Sequence, residues 1–496
     1  MPKGSIGVAI IAKDAAKTIG PCLDSIRPFV RQIVVCVDWS TPDRTRKIAE
    51  RKGAETHPVK VSDWHECGQH GRVLAQHFSD ARQESFTHLD PDLDYWMWID
   101  ADDVLEGAEH LVRLAGTLPD DAVGVWLPYH YASITRADGE RRVNTLFHRE
   151  RVLRTHLGGK PVRWTWSGRV HETVAPDVQG RWVVSEDATV VHQPGTHDTP
   201  SSAMRNLLLL EIDYEADQQN ARTIFYLGNQ HFAMGNWAQA VEWYELLTSG
   251  IGQNPYELWQ SYLYMSLAYE RLEDLTNAAR SAYGALDVVP AHGEPYYRLA
   301  AIAQLSGSPE KALHWNKLGR QMTPPPFFVL KNPLDYTFNQ RVVQGEALMS
   351  LGRITEARTE WEGASQVFTD DRLAGALEGV KQRERAMQAA QGFVQMAELM
   401  NGQAADLYQQ LPDEVKAFGR TRDVVMPSLH DTRGSQGNQQ RIIFWCGRSL
   451  EPWAPPTLLT TGIGGSETAV IEIARRFAAD GWRVDVYNEA DHLEGI

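Results

Sequence analysis

The first part of the chain alternates short apolar runs with amphipathic stretches. Three runs rich in β-branched and aromatic residues predict buried strands: residues 6–11, 32–37 and 95–99. Two stretches with apolar residues at helical spacing predict helices: residues 16–29 and 43–52. Strands that alternate with helices in this way are typical of an α/β domain with a mainly parallel sheet. The pattern continues to about Val191, and we expect this domain to occupy residues 1–200.

Each of the predicted strands ends in polar residues. Lys13 and Asp14 follow the first strand, Asp38 ends the second, and the sequence Asp-Ala-Asp-Asp occupies 100–103 after the third. Ligands of open α/β sheets bind beyond the carboxyl ends of the strands. We therefore expect these residues to converge on one crevice.

The triplet Asp100-Ala101-Asp102 is the strongest chemical feature of the sequence. In an extended segment residues i and i+2 point the same way, so both carboxylates can reach one divalent cation. Hard oxygen ligands suit Mg²⁺ or Mn²⁺, and such an ion would bridge a diphosphate. For the triplet taken alone, the alternative is a solvated loop or a helix cap.

From about Ala203 to Val367 the pattern changes to helices without strands. Four alanines in similar surroundings recur at steps of 38, 34 and 45 residues: Ala240, Ala278, Ala312 and Ala357. Small residues at such intervals let paired helices approach closely, and aromatic residues fill the gaps between neighbours. The pattern resembles tetratricopeptide repeats over 201–370, with an insertion at 323–326 before the last repeat. A generic helical bundle is the alternative.

Composition and charge exclude several classes of protein. With 43% hydrophobic and 23% charged residues the 496-residue chain is typical of a folded, soluble, multidomain protein, and its net charge of −15 opposes nucleic acid as a general partner. Its four cysteines form no CxxC pair, which gives zinc little support and fits a reduced compartment. No apolar run reaches the ~18 residues of a membrane span and no signal peptide is evident, so we expect a cytoplasmic location.

Four segments carry a family resemblance when they are taken in order: Ala12-Lys13-Asp14, Asp38-Trp39-Ser40-Thr41-Pro42-Asp43, Ser79-Asp80-Ala81-Arg82 and Asp100-Ala101-Asp102-Asp103. Over residues 4–195 they resemble the family 2 glycosyltransferases of the GT-A fold, whose donors are nucleotide sugars. The second segment departs from the family, which usually has Gly-Ser before Thr-Asp. This departure leaves the identity of the nucleotide open, with a UDP-sugar favoured.

The resemblance implies a nucleotide-sugar site made of eight residues: Ala12, Lys13, Asp14, Asp38, Arg82, Asp100, Ala101 and Asp102. Asp38 would accept a hydrogen bond from the base, and Arg82 would reach the base or a phosphate. Asp100 and Asp102 would hold Mn²⁺ or Mg²⁺ and, through it, the sugar diphosphate. His192 follows the last predicted strand of the domain, as a histidine does in many members, and would complete the metal shell; a structural role is the alternative.

The segment Trp166-Ser167-Gly168-Arg169-Val170-His171-Glu172 resembles a Gly-x-Val-His-Glu segment of family members that act on lipopolysaccharide cores or carry repeats. Displacement at an anomeric carbon needs a base that deprotonates the attacking acceptor, and a carboxylate can serve. Glu172 is therefore the candidate catalytic base. Two alternatives stay open: an aspartate near the acceptor loop as the base, and a surface ion pair of Glu172 with Arg169 or Arg181.

The end of the chain carries a second α/β pattern. A helical extension and a polar linker occupy 371–440, and strands are predicted at 441–445 and 482–487. The glycine-rich segment 462–467 between them resembles the start of the first helix in family 4 glycosyltransferases of the GT-B fold. Residues 441–496 are too few for a complete doubly wound domain, so we expect a longer protein. We assign this piece no activity.

Together these features predict a multidomain protein with an inverting, metal-dependent glycosyltransferase (hexosyltransferase) domain followed by a helical repeat array. Repeat arrays present concave grooves, so the acceptor would be a protein, a peptide or a glycan held by the repeats. The alternative from another class is a repeat scaffold or adaptor whose first domain has lost catalysis. A nucleotidyltransferase would need a glycine-rich phosphate loop after the first strand, and Ala12-Lys13-Asp14-Ala15 is not one.

Overall fold

The computed structural model describes most of the chain: residues 4–68, 70–135, 139–193, 200–399, 404–417, 441–445, 473–474, 476 and 483–487. The residues group into two units, Met1–Glu384 and Arg385–Ile496. The first unit begins with a sheet domain and continues with an array of helices. The second unit is described separately below.

The sheet domain is built from strands that lie close to the predicted positions. Its strands are β1 (Ile6–Ala12), β2 (Gln32–Asp38), β3 (Glu55–Val59), β4 (Ser62–Cys67), β5 (Gly71–Gln76), β6 (Tyr95–Trp98), β7 (Asp103–Glu106), β8 (Ala122–Thr135), β9 (Arg141–Arg154), β10 (His156–Leu157), β11 (Lys160–Pro161), β12 (Trp164–Ser167), β13 (Thr173–Pro176), β14 (Arg181–Val184) and β15 (Thr189–His192). Its helices are α1 (Ile19–Ile26), α2 (Thr45–Arg51), α3 (Phe78–Thr87) and α4 (Ala108–Thr117).

A mixed sheet forms the centre of this domain. In the described residues its strand order is β3-β2-β1-β6-β9-β8-β15-β7, with β14 beside β8. Strands β3, β2, β1 and β6 are parallel, whereas β9 runs antiparallel to both β6 and β8. The predicted α/β class is therefore confirmed, and the sheet is mixed. The antiparallel β9 brings a distant part of the chain to the carboxyl end of β6.

Both faces of the sheet are buried, which explains why the first strands are continuous apolar runs. Val8 and Ile10 point to one face, where α1 and α4 cover them, and Ala9 points to the other. On that second face α3 and the hairpin β12–β13 complete the core with Trp164 and Trp166. The predicted first helix is shorter than expected at its two ends, and begins at Ile19.

The helical array follows as antiparallel pairs of helices. Its helices are α5 (Pro200–Ala216), α6 (Ala221–Ala233), α7 (Trp237–Leu246), α8 (Pro255–Arg271), α9 (Leu275–Val288), α10 (Glu294–Leu305), α11 (Pro309–Gly319), α12 (Gln340–Ser350) and α13 (Ile354–Ser365). Short π-helical turns occupy Leu247–Ile251 and Asp335–Asn339. The pairs α6/α7, α8/α9, α10/α11 and α12/α13 stack in order through the described residues.

The four recurring alanines lie on the second helix of each pair. They are at most 1% exposed and let the helices approach closely: Ala240, Ala278, Ala312 and Ala357. Gly228 and Gly345 on first helices face the buried rings of Tyr244 and Trp361 on second helices. The predicted repeat array is confirmed by these stacked pairs.

Substitution of Gly345 by alanine is expected to destabilise the array. A Cβ atom at this position would lie well inside van der Waals contact of the buried Trp361 indole, whose N–H donates to the Val342 carbonyl at 3.2 Å. Such overpacking costs about 1–3 kcal/mol, so thermal unfolding should occur a few degrees lower. Gly379→Ala is the matched control, because this exposed helical glycine has no atom near its Cβ position and alanine favours helices. An equal or higher melting temperature for Gly345→Ala would contradict the packing argument.

The insertion before the last repeat forms a strap between the two parts of the first unit. We define the strap as residues 323–339. Leu146 of β9 and Lys331 exchange two backbone hydrogen bonds of 2.9 Å, and the His148 N–H donates to the Phe327 carbonyl at 2.9 Å. The sheet domain and the helical array are thus joined by main-chain bonds as well as by side chains.

The second unit contains the end of α14 (Asp371–Leu399), then α15 (Ala404–Gln409) and α16 (Asp413–Lys416). Strands β16 (Arg441–Trp445) and β17 (Arg483–Tyr487) pair in parallel, as the pattern at the end of the sequence predicts. The glycine-rich segment 462–467 lies outside the described residues.

Candidate functional site

Arg82 bridges two acidic side chains at the centre of the candidate site. It lies on α3 and is buried, and it donates from Nη2 to Asp100 Oδ1 and from Nε to Glu172 Oε1, each at 2.5 Å. Burial opposes the positive charge, but Asp100 and Glu172 raise the pKa of Arg82 above its ordinary value. Burial likewise opposes ionisation of Asp100, yet the guanidinium groups of Arg82 and Arg151 hold its pKa below the ordinary value. Arg82 and Asp100 are therefore held in their charged forms.

Two further arginines reach the site from β9. The guanidinium carbons of Arg149 and Arg151 lie 5.0 and 3.7 Å from the centroid of the Trp98 ring, whose face attracts cations. Arg151 is fully buried and lies 3.4 Å from Asp103 Oδ2 and 3.9 Å from Asp100 Oδ2. Buried carboxylates need such partners. β9 thus supplies positive charge to the acidic residues that follow β6.

One group of three in the described part of the chain has the spacing of a metal site: Asp102, Asp103 and His192, with ligand atoms within 4.8 Å of one another. The pairing of β15 with β7 places His192 directly opposite Asp103. His192 Nδ1 lies 3.1 Å from Asp103 Oδ1 and 4.0 Å from Asp102 Oδ1. The Tyr129 hydroxyl donates to Asp103 Oδ1 at 3.1 Å. Carboxylate oxygens and an imidazole nitrogen are suitable ligands for Mn²⁺.

The chain turns between β6 and β7, so the expected extended conformation of the acidic triplet is wrong. The Asp103 N–H donates to the Asp100 carbonyl at 3.1 Å, which closes a tight turn. The physical reason is that β7 pairs with β15 at the sheet edge and does not continue β6. Asp102 therefore groups with Asp103 and His192, and Asp100 turns towards Arg82. A metal-binding role for Asp100 and Asp102 stays a prediction.

Asp102 is expected to make the stability of the protein depend on pH. Its burial, with Asp100 and Asp103 nearby, raises the pKa of Asp102 to about 7. A carboxyl whose pKa is higher in the folded state adds stability below its unfolded pKa of about 4 and loses it as the pH rises through 7. Without metal, the Asp102→Asn variant should melt close to wild type at pH 4 and several degrees higher at pH 8. A melting difference that does not change with pH would contradict this assignment.

Lys13 and Asp38 meet where β1 and β2 end. The Lys13 Nζ atom lies 3.9 Å from Asp38 Oδ1, as expected for the carboxyl ends of neighbouring parallel strands. Asp38 is buried, and its two oxygens accept from the backbone N–H groups of Ser40 and Val61 at 3.0 and 3.1 Å. The carboxylate therefore shapes the loop after β2. Its contact with a nucleotide base stays a prediction.

The loop after β1 is held in place by the loop after β2. Asp43 Oδ2 accepts from the Ala16 N–H at 3.0 Å. Ala12 is buried at the end of β1, and Asp14 is exposed with a φ of 51°, which is uncommon for a residue other than glycine. Ala101 is buried in the turn after β6. Nucleotide-sugar binding by these residues stays a prediction.

Glu172 lies in the loop 168–172 between β12 and β13, and helices of the array brace this loop. His171 has a φ of 53°, and its ring stacks on Tyr226 of α6 with 4.2 Å between centroids. Burial lowers the pKa of His171 to about 4, so the ring is neutral at physiological pH. Arg169 Nε lies 2.9 Å from Asp213 Oδ1 of α5. Backbone strain held by surrounding structure is common at functional sites.

The Glu172 side chain is largely buried, and the alternative of a surface ion pair with Arg169 or Arg181 is wrong. The side chain is 11% exposed and pairs with Arg82, whereas Arg169 pairs with Asp213. Glu172 Oε2 has no hydrogen-bond donor among the residues that the structure describes. A carboxylate oxygen is thus available to a ligand while the other is held in place.

A cavity of about 1200 Å³ lies between the sheet domain and the helical array. Arg82, Asp100 and Glu172 line it from the sheet side, and residues of α5, α6, α8 and the strap line it from the other. Pockets for small ligands are commonly about 300–1,000 Å³. This cavity therefore has room for a nucleotide sugar together with part of an acceptor.

Sequence reasoning missed the arginines of β9 and the role of Asp103. The segment His148-Arg149-Glu150-Arg151 carries charges between two apolar pairs of the strand, residues 146–147 and 152–153. Charged residues are rarely buried unless they are paired. Charged residues within a predicted strand therefore indicate buried ion pairs. Their acidic partners could not be identified in this way, because they lie far away in sequence.

Comparison with known proteins agrees with this architecture. Residues 7–167 match the family described as "Glycosyl transferase family 2". No curated protein sequence matches the chain. Residues 7–167 are thus similar to family 2 glycosyltransferases, and they lie in a domain with a GT-A-like mixed sheet that is followed by helical repeats.

Solved structures with tetratricopeptide repeats are among those similar to the chain. A tetratricopeptide repeat protein from Parabacteroides merdae ATCC 43184 is 13% identical, over 46% of this chain and 93% of that one, with a TM-score of 0.30. A thermophilic repeat protein of Thermus thermophilus is 20% identical over 36% and 91%, with a TM-score of 0.27. Another similar structure, that of MamA, is 16% identical over 34% of this chain and 89% of that one, with a TM-score of 0.28.

The structure shows no helix in its described residues that combines the length and the apolar character needed to cross a bilayer.

Proposed function

We propose that the protein is an inverting, metal-dependent glycosyltransferase that takes a sugar from a nucleotide sugar, with a UDP-sugar favoured. The observation that carries the proposal is the arrangement of Arg82, Asp100 and Glu172 around one cavity of a family 2 domain. The acceptor, a protein, a peptide or a glycan, would enter between the sheet domain and the repeats. The donor would lie along the carboxyl ends of β1, β2 and β6.

The residues present fit a divalent cation. Asp103 is buried, and the Asp102 side chain is 16% exposed. Partial burial and the neighbouring carboxylates raise the pKa of Asp102 to about 7, and a cation would relieve this accumulation of negative charge. Asp102, Asp103 and His192 would hold the ion, with Asp100 as the further predicted ligand. When bound, Mn²⁺ or Mg²⁺ would neutralise the negative charge of the departing diphosphate.

Glu172 would act as the general base. The acceptor hydroxyl oxygen attacks the anomeric carbon of the donor and forms the new glycosidic bond, while the bond from that carbon to the diphosphate oxygen breaks. The hydroxyl proton passes to Glu172 Oε2, and the nucleoside diphosphate departs with the electron pair. Arg82 holds Glu172 Oε1 and so orients the carboxylate. A positioned base of this kind commonly contributes about 10²- to 10⁴-fold in rate.

The alternative is a repeat scaffold whose first domain is inactive. One observation favours it: Arg82 and Arg151 already engage Asp100, which leaves this carboxylate less available to a cation. The C-terminal segment, which resembles the start of a GT-B domain, receives no activity in either case.

A screen of nucleotide sugars with the full chain tests the proposal. Hydrolysis of one donor that requires Mn²⁺, together with a higher melting temperature when both are present, is the expected result, because a ligand that binds only the folded state stabilises it. Failure of every donor to be hydrolysed or to shift the melting temperature would favour the scaffold.

A further inference from the structure

One wall of the cavity is formed by the inward faces of α6 and α8. Its side chains are spaced about one helical turn apart: Arg222, Tyr226, Asn229 and Gln230 on α6, and Glu257, Gln260 and Tyr264 on α8. The Phe232 ring stacks on Tyr264 with 4.9 Å between centroids. We call this surface the α6–α8 wall. It combines aromatic rings with primary amides, in contrast to the charged sheet side of the cavity.

The α6–α8 wall is close to neutral. Arg222 Nη1 lies 3.2 Å from Glu257 Oε1, so these two charges compensate each other. The other polar groups named on the wall are amides and phenols. A charged ligand would have no free opposite charge to pair with among the groups named on this wall. Burial of an unpaired charge is costly. The wall therefore suits an uncharged polar ligand.

Gln230 provides an independent sign of a ligand. The residue is 8% exposed, and it lines the cavity. It makes no side-chain hydrogen bond with any residue that the structure describes. A primary amide offers two donors and an acceptor, and no described residue uses those of Gln230. A ligand with several hydroxyl groups would satisfy both its donors and its acceptor.

The cavity is short along the array. On the side of the array its lining comes, among the described residues, from α5, α6, α8 and the strap, and α10 to α13 do not contribute. At the α8 end the strap closes it: Val329 packs on Trp259 and Leu263, and Phe328 packs edge-on against Tyr256 with 5.3 Å between centroids. An extended peptide running along the repeats would leave this cavity after α8. A compact ligand would contact the whole lining of the cavity.

We infer that the α6–α8 wall binds a neutral oligosaccharide, and that this glycan is the acceptor of the transferred sugar. Hydroxyl groups pair with the amides of Gln230 and Gln260, and the apolar C–H faces of the sugar rings pack on the aromatic side chains. The loop that carries Glu172 touches this wall through the His171–Tyr226 stack, so a bound glycan lies next to the candidate base. The acceptor role rests on the proposed function, whereas the binding does not.

Binding measured without donor tests the inference. The full chain is titrated with neutral di- to hexasaccharides of glucose, galactose, mannose and N-acetylglucosamine, and with uncharged peptides of similar length, by calorimetry and saturation-transfer NMR. We expect one oligosaccharide class to bind, and Gln230→Met to weaken it about tenfold through the lost hydrogen bonds. Gln239→Met on the exposed side of α7 is the matched control and should bind as wild type does.

A second variant guards against misfolding. Phe328→Ala at the half-exposed rim removes packing surface from the ligand without touching the core, and should also weaken binding. The inference is overturned if no neutral oligosaccharide binds at millimolar concentration, if only the peptides bind, or if both cavity variants bind glycan as wild type does. If the wild-type chain binds the glycan but shows no Mn²⁺-dependent hydrolysis of any donor, the proposed function is overturned and the glycan binding is not.

Discussion

Replacement of Asp102 by asparagine is expected to lower metal-dependent donor turnover at least 100-fold. Asp102 belongs to the three-residue group with metal-site spacing, and loss of a charged ligand removes several kcal/mol of stabilisation of the leaving diphosphate. The folded protein should not be weakened, because the variant removes a carboxylate from a cluster of like charges. Initial rates of donor hydrolysis against Mn²⁺ concentration measure the effect.

The control for this variant is Asp24→Asn. Asp24 is an exposed aspartate that pairs with Lys52 on the surface, and its loss should leave turnover unchanged. If Asp102→Asn hydrolyses the donor at the wild-type rate at every Mn²⁺ concentration, Asp102 is not a metal ligand. A fall in rate that excess Mn²⁺ restores would instead show weakened metal affinity, which agrees with the assignment.

Replacement of Glu172 by glutamine is expected to lower transfer to the acceptor by about 10²- to 10⁴-fold, because the amide cannot take the proton of the attacking hydroxyl. Donor binding should survive, since the amide oxygen can still accept from Arg82 and Arg82 keeps its bond to Asp100. The rise in melting temperature with donor and Mn²⁺ therefore stays near the wild-type value. Single-turnover transfer rates and thermal shifts measured on the same sample separate the two effects.

Glu109→Gln provides the matched control for the base variant, because Glu109 is an exposed residue of α4. Transfer at the wild-type rate in Glu172→Gln would exclude Glu172 as the base and would favour an aspartate near the acceptor loop. A variant that neither transfers nor responds to donor would indicate that the Arg82 bridge is needed to assemble the site.

The local pattern of apolar and small residues was sufficient to predict the strands and helices whose positions are determined by burial alone. The first strand appears at Ile6–Ala12 against a prediction of 6–11, because a strand buried on both faces must be apolar throughout. The repeats were predictable from alanine spacing, since close helix packing demands small residues at fixed places. The shorter first helix was not predictable from its apolar spacing, which continues beyond the ends of the helix.

The site depends on pairings between distant segments, and these leave little local trace. The position of β9 between β6 and β8 brings Arg151 to Asp100, and the β7–β15 pairing brings His192 to Asp103. The turn after β6 follows from that same edge pairing. The strap was foreseen as an insertion, but its hydrogen bonds to β9 were not, because neither partner segment has a distinctive pattern.

The bracing of the Glu172 loop by α5 and α6 bears on how this chain can be dissected or recombined. A fragment that stops before Pro200 loses Asp213 and Tyr226, which hold Arg169 and His171. Such a fragment would keep the crevice proposed for the nucleotide, but its candidate base would lie on an unsupported loop. Exchange of repeats between proteins of this architecture would therefore have to transfer α5 and α6 together with the sheet domain.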